Sequence, residues 1–365
     1  MDGDKKLTKE AVLEALRQVH DPDLGRDIVS LGFVSLEDIA LCGDQVKVSI
    51  TLTTPACPVR EEMRRQAQEA ILALPGVASV EVEMKANVRP TGFRGPRPVA
   101  GVRNLIAVAS NKGGVGKSTV AVNLALALRN YGARVGLLDA DLTGPNVPTM
   151  LGLPPGFQAD KGLSIVERYG LRAVSLGFLL PPGTAVIWRG PLIGTGIRQL
   201  LHDIPWGEEG ELDYLVVDLP PGTSDASMSL AQDATVTGVV IVTTPNAVSV
   251  EDALKAVSFF EKLHVPILGA IENMSYFICP HCGGRVDIFG HGLVEKVCQE
   301  VGIDYLGAIP LDPKVREGAD RGVPILEAEP DSPVSQVIMA IAQKVAAKVS
   351  IQHFLAQEPP SQQKD

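Results

Sequence analysis

The chain has 365 residues, of which 45% are apolar and 21% are charged, a composition that excludes wholesale disorder and suits one large domain with a smaller one. Acidic residues outnumber basic residues by 43 to 33, and the resulting net charge of −10 argues against a general nucleic-acid or anionic-membrane binder. Uninterrupted apolar runs are far shorter than a membrane span, and the acidic N-terminus shows no secretory signal. We therefore expect a soluble, cytoplasmic protein that has neither nucleic acid nor a membrane as its partner.

Residues 1–90 are predicted to form a small α+β domain. A helix capped by Thr8 comes first, because apolar residues recur behind it at helical spacing. Apolar and polar residues then alternate over 46–52 and again over 80–84, as they do in half-buried strands, with a second helical pattern between the two. Residues 91–103 contain Gly, Pro and Arg without a period, which predicts a linker.

Residues 104–350 follow a different pattern, in which short continuous apolar runs alternate with helical segments. Such runs are typical of parallel strands that are covered by helices on both faces. The predicted fold class is therefore α/β, with a mostly parallel, doubly wound sheet. Its predicted strands are 105–110, 134–139, 171–176, 214–219, 238–243, 267–272 and 305–309. The last residues, 351–365, are expected to form a disordered tail.

A phosphate-binding loop follows the first of these strands. The sequence from Ser110 to Thr119 reads SNKGGVGKST and leads directly into a helical pattern. Its glycines let successive backbone N–H groups turn toward a polyphosphate, and the start of the helix adds partial positive charge. Lys117 is predicted to reach the β- and γ-phosphates of ATP, and the hydroxyl of Ser118 to ligate Mg²⁺, so the sheet is predicted to be that of a P-loop NTPase. The predicted nucleotide-binding residues of the loop are Gly113, Gly114, Val115, Gly116, Lys117, Ser118 and Thr119.

Carboxylates stand at the ends of two later strands. Asp139 and Asp141 come at the end of the strand 134–139, and Asp218 ends the hydrophobic run LVVD, as in a Walker B element. Because the carboxyl ends of strands in an open α/β sheet face the ligand crevice, these side chains are expected to converge on the Mg-nucleotide. Asp218 is predicted to bind Mg²⁺ through water, and the alternative is that it caps the next helix.

The loop departs from the ordinary pattern G-x-x-x-x-G-K-[ST], because Asn111 stands at the first Gly position and Lys112 is an additional lysine. In this respect it resembles the K-G-G-x-G-K-[ST] loop of the P-loop ATPases that include MinD, ParA and the nitrogenase iron protein. The resemblance implies that Lys112 reaches across a homodimer to the nucleotide of the other subunit. It also implies that Asp141, in preference to Asp139, orients the attacking water, and that Gly222 offers its backbone N–H to the γ-phosphate.

The segment 272–284, which reads ENMSYFICPHCGG, distinguishes among these ATPases. Together with K-G-G-V-G-K-S-T, D-A-D-L-T-G-P-N, V-I-W-R-G-P and D-L-P-P-G-T-S-D, it resembles the Mrp/ApbC family of iron–sulfur cluster carrier proteins over residues 100–350. The resemblance implies an ATPase that carries a [4Fe–4S] cluster on Cys279 and Cys282, takes it from a cluster donor and passes it to apo iron–sulfur proteins. It further implies that Asn273 hydrogen-bonds the adenine.

The number of cysteines bears on how such a cluster is held. One CxxC pair supplies two thiolates, whereas a [4Fe–4S] cluster takes four, and no other cysteine pair in the chain has suitable spacing. A homodimer that places the two loops on its two-fold axis brings four sulfurs together. The cluster is therefore predicted to bridge two subunits.

The N-terminal domain resembles the small domain, associated with iron–sulfur assembly, that is often fused to such carriers. Its matching residues include the stretch T-L-T-T-P-A-C-P, which contains Cys57. Cys57 stands at a helix start, where the helix dipole lowers the pKa of a thiol, so transient contact with a metal is one interpretation. A buried structural cysteine is the other.

Other interpretations of the cysteine pair and of the whole protein stay open at this point. A structural zinc site is one interpretation, and it needs further ligands besides the CxxC pair. Cys298 lies on an apolar helix face and is predicted to be a core residue, so His281 and His291 are the candidates. A thioredoxin-like redox pair is a second interpretation, although no redox-type βα turn precedes the motif. A third is a switch or positioning ATPase that binds other macromolecules, but the tail supplies neither a membrane-targeting helix nor a basic patch.

Overall fold

The computed structural model describes residues 7–90, 97–142, 144–154, 163–179, 190–222 and 225–357. The chain divides into two compact units, Met1–Arg89 and Pro90–Asp365. The V-I-W-R-G-P motif lies largely outside the described residues, as do the first half of the predicted linker and the tail from residue 358.

The small unit is built on a three-stranded sheet. In chain order its elements are α1 (Lys9–Leu16), β1 (His20–Asp21), β2 (Arg26–Asp27), β3 (Ile39–Cys42), β4 (Gln45–Leu52), α2 (Arg60–Leu72) and β5 (Ser79–Ala86). The sheet order is β3-β4-β5, with β3 antiparallel and β5 parallel to β4. The predicted cap is confirmed, since the Thr8 side chain accepts a hydrogen bond from the Ala11 N–H. Alternate residues of β4 and one side of α2 are buried and form the core of this unit.

The large unit contains one eight-stranded sheet with helices packed on it. Its elements are β6 (Val102–Ala109), α3 (Lys117–Asn130), β7 (Val135–Asp139), α4 (Val147–Met150), β8 (Val166–Arg168), β9 (Leu171–Ser175), α5 (Gly190–His202), β10 (Leu212–Asp218), α6 (Asp225–Asp233), β11 (Gly238–Thr243), α7 (Ala247–Lys262), β12 (Ile267–Glu272), β13 (Phe277–Ile278), β14 (Arg285–Val286), α8 (Leu293–Val301), β15 (Tyr305–Ala308), α9 (Pro313–Arg321), α10 (Ile325–Ala328) and α11 (Pro333–Gln357). The strand order is β15-β12-β11-β6-β10-β7-β9-β8, and every pair is parallel except β8 with β9. The mostly parallel sheet and its seven predicted strands are therefore confirmed, while the edge strand β8 was not predicted.

The order of the strands opens a crevice at their carboxyl ends. Strand β6 lies between β10 and β11, and the chain passes from β6 through α3 to β7, on the far side of β10. The register pairs Asp218, the last residue of β10, with Val108 of β6 and with Asp139 of β7. The phosphate loop after β6 and the carboxylates of β7 and β10 therefore meet at one edge of the sheet, where open α/β sheets bind ligands.

The predicted boundary between linker and large domain lies too late in the chain. Val99 is buried in the core of the large unit, and the Arg97 carbonyl accepts a hydrogen bond from the Thr235 N–H. Strand β6 then begins at Val102. The second half of the predicted linker is held by these contacts and belongs to the large unit.

The last helix, α11, extends further than predicted. It continues to Gln357, so the expectation of a disordered tail from residue 351 was wrong for the first part of that segment. His353 is buried, and its Nδ1 lies 2.7 Å from the Pro90 carbonyl oxygen, which holds this end of the helix. By length and composition Pro333–Phe354 is apolar enough to cross a membrane, although 50% of this stretch is buried inside the fold.

Candidate functional site

The phosphate loop connects the carboxyl end of β6 to the start of α3. Gly116 is the N-cap of α3 and has a φ of 83°, in the left-handed region that glycine adopts without strain. The loop forms one wall of a cavity of about 300 Å³, whose other walls include Asp141, Met150 and Pro221. Of the predicted nucleotide-binding residues of the loop, all but the buried Val115 line this cavity.

Lys117 lies at this cavity with only 6% of its surface exposed, and its ammonium forms an ion pair with the Asp218 carboxylate. Lys117 Nζ also lies 3.2 Å from the Ser118 hydroxyl oxygen. Burial raises the pKa of Asp218, and the adjacent Lys117 ammonium opposes that shift. The other carboxylate oxygen of Asp218, Oδ2, is buried and has no hydrogen-bond partner among the described residues. A free carboxylate oxygen close to a serine hydroxyl suits Mg²⁺, which prefers oxygen ligands, so these residues fit the predicted metal.

The two carboxylates at the end of β7 occupy different positions. Asp141 lines the cavity of about 300 Å³. Asp139 is 1% exposed and accepts hydrogen bonds from the Val147 N–H at 3.2 Å and from the Ser175 hydroxyl at 3.0 Å. Burial, together with the nearby Asp218 carboxylate, raises the pKa of Asp139 to about 8. The Asp139 carboxylate therefore holds the start of α4 and the end of β9 by hydrogen bonds, whereas Asp141 is the one of these two carboxylates that lines the cavity.

Gly222 does not offer its N–H to the cavity in this structure. The Gly222 N–H donates to the Ser110 carbonyl oxygen at 2.8 Å. The predicted contact with a γ-phosphate therefore requires that this hydrogen bond break first. Residues 223 and 224, which follow in the D-L-P-P-G-T-S-D motif, lie outside the described part of the chain.

A second cavity of about 270 Å³ adjoins the first and shares Gly116, Thr119 and Met150 with it. Asn273, which follows β12, lines this second cavity, and its Nδ2 donates to the Val115 carbonyl oxygen at 2.8 Å. A methyl group on Gly116 would overlap that Nδ2, so the close approach of Asn273 depends on glycine. Asn273 thus joins the loop to the second cavity, and a nucleotide with its phosphates in the first cavity and its base in the second fits the pair.

Lys112 is exposed and borders two cavities. It lines the first cavity and also a third one, of about 180 Å³, together with Thr244, Asn246 and Phe289. Lys112 is predicted to contact the nucleotide of a second subunit, which requires that its side chain be accessible to that subunit. Its exposed position at the rim of both cavities meets that requirement.

Cys279 and Cys282 lie in a short hairpin, residues 277–286, termed the cysteine hairpin. Strands β13 and β14 pair antiparallel, and the Cys279 N–H donates to the Gly284 carbonyl oxygen at 2.9 Å. Hydrogen bonds from the backbone N–H groups of His281 and Cys282 to the Cys279 sulfur lower the pKa of that thiol. Cys279 is partly exposed and Cys282 is exposed, so both sulfurs are accessible at one turn of the surface.

Among the described residues of one chain, the cysteine pair has no further ligands with which to form a zinc site. In the described part of the chain, no group of three or more His, Cys, Asp or Glu side chains is arranged to hold a metal ion. The Nδ1 of His291 lies 2.6 Å from the Ser275 hydroxyl oxygen and 3.2 Å from Glu272 Oε1, so that ring nitrogen already has hydrogen-bond partners. Cys298 is 2% exposed, which confirms the prediction of a core residue.

The prediction of a lowered pKa for Cys57 was wrong. Burial raises the pKa of this thiol to about 11, and the neighbouring carboxylates of Asp21 and Asp23 shift it in the same direction. A hydrogen bond from the Val59 backbone opposes these effects without outweighing them. The start of the helix was visible in the sequence, but the burial of the thiol within the small unit was not.

Sequence reasoning did not identify a buried carboxylate at the end of β12. Glu272 is 0% exposed and accepts hydrogen bonds from the Ser275 hydroxyl, from the Gly292 N–H at 3.0 Å and from the Val294 N–H at 3.1 Å. The sequence did contain a signal, because Glu272 is a single carboxylate at the end of an otherwise apolar strand. Glu272 holds the segment after β12 against the start of α8.

The fold and the loop define this protein as a P-loop NTPase of the ParA and MinD class. A nucleotide-binding protein from Archaeoglobus fulgidus, solved in complex with ADP, is 39% identical and superposes with a TM-score of 0.53, covering 64% of this chain and 91% of that one. The cell division ATPase MinD of Pyrococcus furiosus shares the fold at 23% identity and a TM-score of 0.51, over 66% of this chain and 98% of that one.

Within this class the sequence comparisons are more specific. Residues 101–346 match the NUBPL iron-transfer P-loop NTPase family, and residues 9–84 match the iron–sulfur cluster assembly protein family. The iron–sulfur cluster carrier protein of Synechocystis sp. is 46% identical over 353 residues, covering 94% of this chain and 99% of that one. The protein of the same name from Escherichia coli is 37% identical over 342 residues, covering 93% of this chain and 91% of that one. The chain belongs to the Mrp/ApbC family of iron–sulfur cluster carrier proteins, as the resemblance of its motifs predicted.

Proposed function

We propose that this protein binds and hydrolyses ATP with Mg²⁺ and carries a [4Fe–4S] cluster, held between two subunits, which it receives from a cluster donor and passes to apo iron–sulfur proteins. The observation that carries the proposal is the accessible pair Cys279 and Cys282, for which the described residues of one chain supply no third ligand. The relatives from Synechocystis sp. and E. coli, which are named iron–sulfur cluster carrier proteins, support this cargo.

The two adjoining cavities support the nucleotide part of the proposal. Phosphates against the loop draw the Lys117 ammonium away from Asp218, because the triphosphate carries more negative charge than one carboxylate. Ser118 and the released Asp218 would hold Mg²⁺, which supplies positive charge to the transferring phosphoryl group. Asp141, at the wall of the same cavity, orients the attacking water. The adenine lies in the second cavity, beside Asn273.

The surface around the cysteine hairpin supports a homodimer. Four apolar side chains in the hairpin or just after it have 46 to 52% of their surface exposed; they are Ile278, Val286, Ile288 and Phe289. Phe289, seven residues after Cys282, lines the third cavity together with Lys112, so the segment that follows the thiols reaches the lysine that is proposed to contact the second nucleotide. A second copy of the chain would cover this surface and complete the four thiolates. Two protein bonds per chain leave the cluster near the surface, where it is exchangeable.

Anaerobic reconstitution with iron and sulfide tests the cluster part of the proposal. We expect about two iron atoms per chain and the optical and Mössbauer spectra of a [4Fe–4S] centre. Cys279→Ala and Cys282→Ala are each expected to lose the cluster while retaining ATP binding, because the thiols are not part of the nucleotide cavities. Cys42→Ala, which removes another exposed cysteine, is the matched control and retains the cluster. A cluster in the Cys279→Ala/Cys282→Ala variant, or stoichiometric zinc in place of iron, would contradict the proposal.

A further inference from the structure

The segment that joins the second cavity to the cysteine hairpin is fixed at its base. Glu272 at the end of β12 is fully buried, and its carboxylate accepts hydrogen bonds from Ser275 within this segment and from the Gly292 and Val294 N–H groups at the start of α8. His291, just before α8, lies 2.6 Å from the same Ser275 hydroxyl. A buried carboxylate is costly unless such partners surround it, so these contacts hold the strand end, the joining segment and His291 together.

The same segment forms part of the nucleotide cavity. Met274 has a φ of 55°, a strained conformation for a residue that is not glycine, and lines the second cavity beside Asn273. The Tyr276 carbonyl oxygen accepts a hydrogen bond from the Leu311 N–H at 2.7 Å, and Leu311 also lines that cavity. A ligand that fills the second cavity therefore touches Leu311, which is hydrogen-bonded to the Tyr276 carbonyl oxygen, and Met274, two residues before Tyr276.

The cysteine hairpin contacts this fixed segment through the ring of Tyr276. The Arg285 guanidinium lies 4.4 Å from the centre of the Tyr276 ring, and the His291 ring meets Tyr276 edge-on at 5.9 Å. Arg285 is the residue of β14 that pairs with Ile278, immediately before Cys279. The Tyr276 ring therefore contacts both the Arg285 guanidinium of the hairpin and the ring of the anchored His291.

Few other contacts restrain the hairpin. Residues 280–291 are all exposed, and β13 and β14 form a sheet of only two strands with two residue pairs. Exposed segments with few buried contacts open and reorient at low cost. The contact of Arg285 with Tyr276 therefore has a large share in setting where the two thiols point.

We propose that Tyr276 is a positioning residue, which transmits the occupancy of the nucleotide cavity to Cys279 and Cys282 through its stack with Arg285. This inference rests on the proposed function, because it assumes that the two cavities take a nucleotide and that the thiols hold the cargo. One side chain thus links the two sites. Because coupling between two binding sites is reciprocal, a ligand on the thiols changes the nucleotide affinity by the same factor by which the nucleotide changes the affinity of the thiols for that ligand.

The rate of Cys279 alkylation in the reduced, cluster-free full chain measures this link. Iodoacetamide is the reagent, Mg-ADP is the ligand, and peptide mass spectrometry separates Cys279 from the other cysteines. We expect saturating Mg-ADP to change the rate about fivefold or more in the wild type, as in typical coupling between sites. In Tyr276→Leu the change is expected to fall below about twofold, while the Kd for ADP stays within about twofold of the wild type.

Two further variants separate positioning from simple destabilisation. Tyr276→Phe keeps the ring and is expected to keep the response, whereas Arg285→Gln removes the cation from the exposed strand and is expected to lose it. A wild-type response in Tyr276→Leu and Arg285→Gln, or a wild type that binds ADP without any change in the alkylation rate, would overturn the inference. A wild type that binds no ADP would instead refute the nucleotide part of the proposed function.

Discussion

Replacement of Gly116 by alanine tests the geometry that joins the phosphate loop to the second cavity. Gly116 has a φ of 83°, and a methyl group on its Cα would overlap the Asn273 side chain, which donates a hydrogen bond to the Val115 carbonyl. Gly113, three residues earlier in the same loop, is the matched control. Nothing lies within 4 Å of a methyl group placed on Gly113.

The magnitude follows from two contributions. The left-handed conformation costs an alanine roughly 1–2 kcal/mol relative to glycine. Loss of the buried hydrogen bond from Asn273 to Val115 adds about 1 kcal/mol. Gly116→Ala is therefore expected to lower the free energy of unfolding of the large unit by roughly 2–3 kcal/mol. Gly113→Ala has no such cost and is expected to change it by less than about 1 kcal/mol, because alanine also restricts the unfolded chain.

Urea denaturation without nucleotide, followed by tryptophan fluorescence, measures this difference. The chain has 2 tryptophans, and neither lies within residues 1–89; Trp206 is buried in the core of the large unit, so the signal does not report on the small unit. Leaving out the ligand matters, because a bound nucleotide would itself stabilise the folded state. If Gly116→Ala unfolds within about 0.5 kcal/mol of Gly113→Ala, the close approach of Asn273 to the loop is not as described.

Three further outcomes are expected. The Cys279 thiol has a lowered pKa and Cys57 has one of about 11. Near pH 8 only about 0.1% of Cys57 is thiolate, so iodoacetamide should modify Cys279 much faster than Cys57, and the Cys57 rate should rise as the pH approaches 11. Lys112→Ala should retain ADP binding, since Lys117 remains, but should lower steady-state ATP turnover, and unchanged turnover at all protein concentrations would exclude a cross-subunit role. Deletion of residues 1–89 should leave a folded ATPase, as measured by circular dichroism and turnover, because each unit has its own buried core.

The sequence predicted the scaffold well because its signals are local. Continuous apolar runs such as Gly238–Thr243 are buried along their whole length, and the loop from Ser110 to Thr119 joins a strand to a helix as its glycines and lysine indicate. Strand β3 (Ile39–Cys42) was missed because four residues give too short an alternation to recognise. Strand β8 was missed for the same reason, since it has three residues and pairs only at the sheet edge.

The details of the site depended on tertiary contacts that no local pattern contains. Asp139 and Asp141 are two residues apart in the sequence, yet one is buried among donors and the other lines the cavity. The N–H of Gly222 is bonded to Ser110, which a motif cannot show. The raised pKa of Cys57 likewise follows from burial by distant parts of the small unit. Motifs predicted which residues would lie at the site, and packing sets the position and the hydrogen-bond partners of each.

The central claim is that one cluster is shared by two chains, and a mixed-dimer experiment tests it most directly. Wild-type chains and Cys279→Ala/Cys282→Ala chains are co-expressed in equal amounts, purified together and reconstituted anaerobically, and cluster is measured per total chain. If a cluster needs the thiols of both chains, only dimers of two wild-type chains hold one, and random pairing predicts about one quarter of the all-wild-type content. A content of about one half would show that each chain holds its own cluster and would contradict the bridging arrangement.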